Sequence, residues 1–125
     1  MEESSSTKLK DSVLSILDEH KAENIECIDL RGQSSLADYM VVASGTSSRL
    51  VASLAQKLAE KLPPQGFEVL RTEGLPTADW VVVDCVDVIV HLFRPEVREF
   101  YNIEKMWRAD FTTAAPPAPT LRTQV

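Results

Sequence analysis

Hydrophobic and polar positions change their period along the chain, and the changes mark its elements. Leu9, Val13, Ile16 and Leu17 recur at helical spacing with charges between them, which predicts an amphipathic helix to about Lys21. "IECIDL" (25–30) and "DYMVVAS" (38–44) are short, β-branched-rich runs bounded by "RGQSS" and "GTSS", and they predict two strands. Leu50, Val51, Leu54, Ala55 and Leu58 form one apolar face of a second helix, capped by Ser47 or Thr46 and ended by "PPQG" at 63–66. "FEVL" (67–70) predicts a third strand, and "RTEGLPTAD" a polar, turn-rich loop. "WVVVDC" (80–85) and "VIVHLF" (88–93) predict strands four and five, close enough to form a hairpin. Along the fifth, alternation puts Ile89, His91 and Phe93 on one face and Val88, Val90 and Leu92 on the other. Pro95 suits the first turn of a last helix carrying Val97, Phe100, Tyr101, Ile103, Met106 and Trp107 and ending near Arg108.

A strand–helix–strand unit followed by a hairpin predicts an α/β fold, a single domain with a mixed five-stranded sheet and helices packed on it. Residues 1–7 are polar and serine-rich, and 109–125 are rich in Pro, Ala and Thr. Both are expected to be unstructured tails around a domain at 8–108, which holds one core and not two. No apolar run approaches the roughly 20 residues that span a bilayer, and "MEESSSTKLK" lacks the order of a signal peptide. No membrane association and a cytoplasmic location are expected. Cys27 and Cys85 belong to no CxxC or Cys/His cluster and read as small reduced apolar residues.

Charge narrows the choice of partner. The net charge is −6, and the thirteen Lys and Arg residues are scattered. Nucleic-acid binders draw much of their affinity from neutralised phosphates, so direct nucleic-acid recognition is not expected here. A basic protein suits this chain better.

Candidate chemistry is sparse. "SGTSSR" follows a strand and opens a helix, so Gly45, Thr46, Ser47, Ser48 and Arg49 form a candidate anion site at free N–H groups. The simpler reading is a glycine turn with a hydroxyl cap, since neither GxxxxGK[ST] nor GxGxxG is present. A strand, a Gly-Ser turn and a helix also begin nucleotidyltransferase domains, which need paired carboxylates for Mg²⁺. The next strand offers only Glu68. Asp84 and Asp87 are three apart across a predicted turn, where acids are commonly turn formers. His91 has no Ser or Cys nucleophile paired with it by pattern and reads as a packed strand residue. No catalytic residue, metal site or cofactor is therefore expected. Trp80 opens a strand beside the loop, and Tyr101 and Trp107 share the last helix with Glu96, Glu99 and Glu104. Such aromatics are enriched in binding hot spots. The helix's apolar positions cover more of its circumference than one sheet contact needs, leaving surface for a partner or a second copy.

An ordered set of motifs, "SLADYMVVASGTSSR" (35–49), "EG" (73–74), "ADWVVVD" (78–84), "DVIVH" (87–91) and "VREFYNIEKMW" (97–107), resembles the ribosomal silencing factor, or Iojap-like, family from about Leu9 to Trp107. The resemblance implies a nucleotidyltransferase-like fold without the catalytic metal site. It further implies a non-enzymatic cytoplasmic factor that binds the L-fourteen protein of the large ribosomal subunit. There it blocks small-subunit joining and represses translation when nutrients are short. Family members are often dimeric when free. The residues it implies for partner binding are Glu73, Gly74, Asp79, Trp80, Asp84, Asp87, His91, Tyr101, Glu104 and Trp107, with Trp80 as the anchor; the competing reading of Trp80 is a core residue that holds the domain together. The competing class is a small nucleotidyltransferase-like enzyme or nucleotide-binding protein. One departure stands at Val86, where the family usually has glycine. If that turn needs a positive φ, a β-branched residue is strained there.

Overall fold

In the computed structural model, which describes residues 5–97, helix α1 (Ser5–Glu19) precedes strands β1 (Glu23–Asp29) and β2 (Tyr39–Ser44). Helix α2 (Ser48–Lys61), a 3₁₀ turn at Pro63–Gln65, and strands β3 (Arg71–Glu73), β4 (Trp80–Asp84) and β5 (Val88–Phe93) follow. The five strands make one mixed sheet in the order β1–β2–β5–β4–β3. β2 and β5 run parallel at its centre, and the other three pairs are antiparallel. Every residue of β2 is buried, as an apolar run between two covered faces must be.

One face of the sheet carries α1 and α2. Val13, Ile16 and Leu17 of α1 and Val51, Leu54, Ala55 and Leu58 of α2 meet Val41, Ala43, Val81, Val83, Val90 and Leu92 from three strands. Each such aliphatic side chain contributes about 1.5–3 kcal/mol when fully buried. α2 starts as its sequence predicts: the Ser47 hydroxyl accepts the Leu50 N–H at 3.1 Å. It ends at "PPQG", where Gly66 closes the 3₁₀ turn with φ +92°. The opposite face holds a smaller cluster of Ile28, Leu30, Met40, Val42, Trp80 and Phe93, with Val82 and Val97 packed against it.

Three expectations move. α1 begins at Ser5, three residues inside the expected tail, because Ser6 is buried and the Thr7 and Tyr39 hydroxyls hydrogen-bond at 3.1 Å. The third strand lies at Arg71–Glu73 and not at 67–70. Phe67 and Val69 do pack on the helix-covered core, but the ladder with β4 starts only where Arg71 faces Asp84. The chain is helical again at 95–97, and the rest of the expected last helix lies outside the described residues, as does the expected tail at 109–125. Among the described residues no helix is long and apolar enough to cross a membrane. Both cysteines are free. Cys85 is buried, which pushes its thiol up to about 12, while Cys27 is exposed on β1.

Candidate functional site

The face opposite the helices centres on three aromatic rings. Trp80 Nε1 donates to His91 Nδ1 at 3.0 Å, and the Trp80 ring stacks on Phe93 with centroids 4.9 Å apart. The cross-strand register places Trp80 opposite Phe93 and Val82 opposite His91, which brings the indole within reach of the imidazole one step along. Because Nδ1 accepts, the proton of the neutral ring sits on Nε2, which is buried with no hydrogen-bond partner among the described residues. Burial holds the imidazole neutral, pushing its pKa down to about 4. Trp80 is 1% exposed. The expectation that its ring faces a partner is therefore corrected: Trp80 and His91 are core.

The loop before Trp80 is shaped by close approach. Gly74 has φ +109°, and a Cβ there would stand 2.2 Å from the Trp80 carbonyl oxygen, so no side chain fits. Its carbonyl accepts the Ala78 N–H at 2.9 Å. Asp79 is tied down on both sides: Ser48 Oγ donates to its carboxylate at 3.2 Å, and Arg94 Nε lies 2.9 Å from the same oxygen. Arg94 also reaches Glu96 at 2.9 Å. Asp79 thus joins the start of α2 to the end of β5. Glu73 is half-buried, with Arg71 Nε 3.8 Å from its carboxylate.

At the other end of the sheet, Asp84 and Asp87 frame the hairpin turn. The Asp84 carboxylate accepts the Val86 N–H at 2.9 Å and lies 3.6 Å from Arg71 Nε. Asp87 N–H donates to the Cys85 carbonyl at 2.9 Å, closing a three-residue γ-turn, and the Asp87 carbonyl accepts from Asp38 and Tyr39. Both acids act as turn formers, and Asp87 projects into solvent. Val86 has φ +73°, so the valine does occupy the region that favours glycine.

The candidate anion site resolves into structural parts. Gly45 N–H donates to the Phe93 carbonyl at 2.9 Å, and a Cβ on Gly45 would stand 2.9 Å from Val51 Cγ2. Ser47 caps α2, and Ser48 is turned onto Asp79. A carboxylate of the protein itself thus sits at the positive end of the helix, where a bound anion would go. Thr46 and Arg49 are exposed. Tyr101, Glu104 and Trp107 lie outside the described residues.

With this geometry in view, comparison with known proteins is decisive. The family model for "ribosomal silencing factor during starvation" matches residues 3–124. The chain belongs to the ribosomal silencing factor family. It is 57% identical over 91 residues to the ribosomal silencing factor of Zymomonas mobilis, covering 73% of this chain and 68% of that one. It is 41% identical over 99 residues to that of Haemophilus influenzae, covering 79% and 97%. A crystal structure of a Chromobacterium violaceum protein superposes with a TM-score of 0.80 at 33% identity, over 95% of this chain and 98% of that one. A mouse relative, 32% identical over 78% of this chain and 44% of its own length, is named for mitochondrial assembly of the ribosomal large subunit.

Two features of this silencing factor were not legible in its sequence. Leu36, Leu70 and Leu75 are about half exposed, although Leu36 sits beside the buried Ala37 and Leu70 beside Val69, which packs on the core. Arg94 and Ser48 are partners of Asp79 from opposite sides in sequence. The only hint was that all three flank predicted element ends.

Proposed function

We propose that this silencing factor docks on the L-fourteen protein of the large ribosomal subunit and sterically blocks joining of the small subunit, repressing translation when nutrients are short. The observation that carries this is the family match over residues 3–124. Charge supports it, since a chain of net charge −6 suits a basic ribosomal protein better than bare RNA. Glu73, Asp84 and Asp87 offer carboxylates at the β3–β4–β5 side of the sheet, while Gly74, Asp79, Trp80 and His91 hold that side in shape. Tyr101, Glu104 and Trp107 are carried over as partner contacts from the family motif that they match, and the free factor forms a homodimer. It works in the cytoplasm by occupancy and not by catalysis. The Asp84 carboxylate, which a nucleotidyltransferase would need for metal, accepts a turn N–H here, and Asp87 joins the same turn through its backbone.

Co-sedimentation with purified subunits tests this. The protein should pellet with free large subunits and not with small ones, and its retention should fall with salt, because complementary charges contribute. Sedimentation with small subunits alone would overturn the proposal, as would nucleotide transfer in the presence of Mg²⁺.

A further inference from the structure

We propose that the tip of the β4–β5 hairpin, with Val86 at its apex and Leu36 and Leu70 beside it, contacts a basic protein surface of the large subunit. This rests on the docking function above and names a part of the chain that grips. Backbone hydrogen bonds gather the three residues at one end of the sheet. Leu70 N–H donates to the Asp84 carbonyl at 2.7 Å, on one side of the turn. Asp38 N–H donates to the Asp87 carbonyl at 2.8 Å, which brings the segment carrying Leu36 to the other side. Leu36, Leu70 and Val86 are 46%, 54% and 46% exposed, and Leu75 is the one comparable large apolar side chain among the described residues.

Val86 is the informative member. Its φ of +73° disfavours a β-branched side chain, and its isopropyl group reaches into water, away from either core cluster. In the free protein that side chain costs stability and stays about half exposed outside both core clusters; seated in a partner it would bury further apolar surface. The surrounding charge selects the partner. Asp38, Glu68, Asp84 and Asp87 lie within two residues of the patch or within it. The nearby bases are compensated, with Arg71 3.6 Å from Asp84 and Arg31 2.7 Å from Asp29. Bare RNA would be repelled. A second copy meeting this patch about a two-fold axis would set the same carboxylates against each other. A cationic protein surface with an apolar side chain fits both features.

The test is Val86→Gly in the full chain, measured for melting temperature and for affinity to purified large subunits. Relief of backbone strain should raise the melting temperature by about 4 °C. Loss of the side chain should weaken subunit binding about fivefold or more. A merely structural valine would not move the two in opposite directions. Wild-type affinity in Val86→Gly overturns the assignment. Should the variant melt lower, the double variant Leu36→Ser, Leu70→Ser decides, and its wild-type affinity overturns the proposal. If the unsubstituted protein itself fails to sediment with large subunits, the docking function fails first, and that result is distinct from a tip that binds nothing.

Discussion

The two faces of the sheet are built on different principles. The face under α1 and α2 is almost wholly aliphatic, and its stability grows with the apolar area it removes from water. The opposite face has fewer residues, and its centre is a directional contact, an indole N–H pointed at an imidazole nitrogen with a third ring stacked alongside. An aliphatic layer tolerates exchange of side chains of similar volume. A polar pair in a dry setting does not, because removing one partner leaves the other unsatisfied. The comparison teaches that Trp80 and His91 tie β4 to β5 by one directional contact, where the other face relies on the sum of many non-directional ones.

The largest effect expected from breaking this contrast is at the aromatic face. Trp80→Ala should cost about 3–5 kcal/mol, a large part of the total stability of a domain this size, and collapse the melting transition. Loss of subunit binding without loss of stability would return Trp80 to the surface. On the helix-covered face, Leu54→Ala should cost about 3 kcal/mol in chemical denaturation, with the same penalty at pH 5 and pH 7.5.

Acid separates the two faces. The folded pKa of His91 is depressed to about 4 from an ordinary 6.5, so the unfolded chain binds the extra proton first. The stability tied to neutral His91 is full above about pH 6.5 and is lost as pH falls from there toward 4. The sum over that window is on the order of 3 kcal/mol. His91→Gln should remove that slope from a plot of unfolding free energy against pH, and an unchanged slope would assign it to other groups. The smallest effect is Ser47→Ala, which removes the cap of α2 and should cost about 1 kcal/mol at every pH tested.

Much of this arrangement was legible in the chain itself, wherever a local rule and the tertiary contacts agree. The Ser47 cap, the "PPQG" stop and the two faces of β5 all appear as the residue pattern requires. The acids at 84 and 87 were readable as turn formers from their three-residue spacing, and they are. The conflict at Val86 was legible only against the family's usual glycine, and the positive φ of the turn bears it out. The short edge strand was misplaced because "FEVL" has the stronger β propensity, while ladder hydrogen bonds form only where a neighbouring strand offers its partners.

By itself, then, the sequence determined helices α1 and α2, strands β1, β2, β4 and β5, the mixed α/β class, the acidic character and the family, because these follow from local periodicity, composition and ordered motifs. Tertiary structure decided what each conspicuous side chain does. Trp80 became core because His91, eleven residues later, offers an acceptor across the hairpin. Asp79 became a brace because Ser48 and Arg94 converge on it. Leu70 is half exposed just before the edge strand, which has no neighbour beyond it among the described residues. Burial and pairing depend on contacts between residues distant in sequence, and no local pattern encodes where those meet.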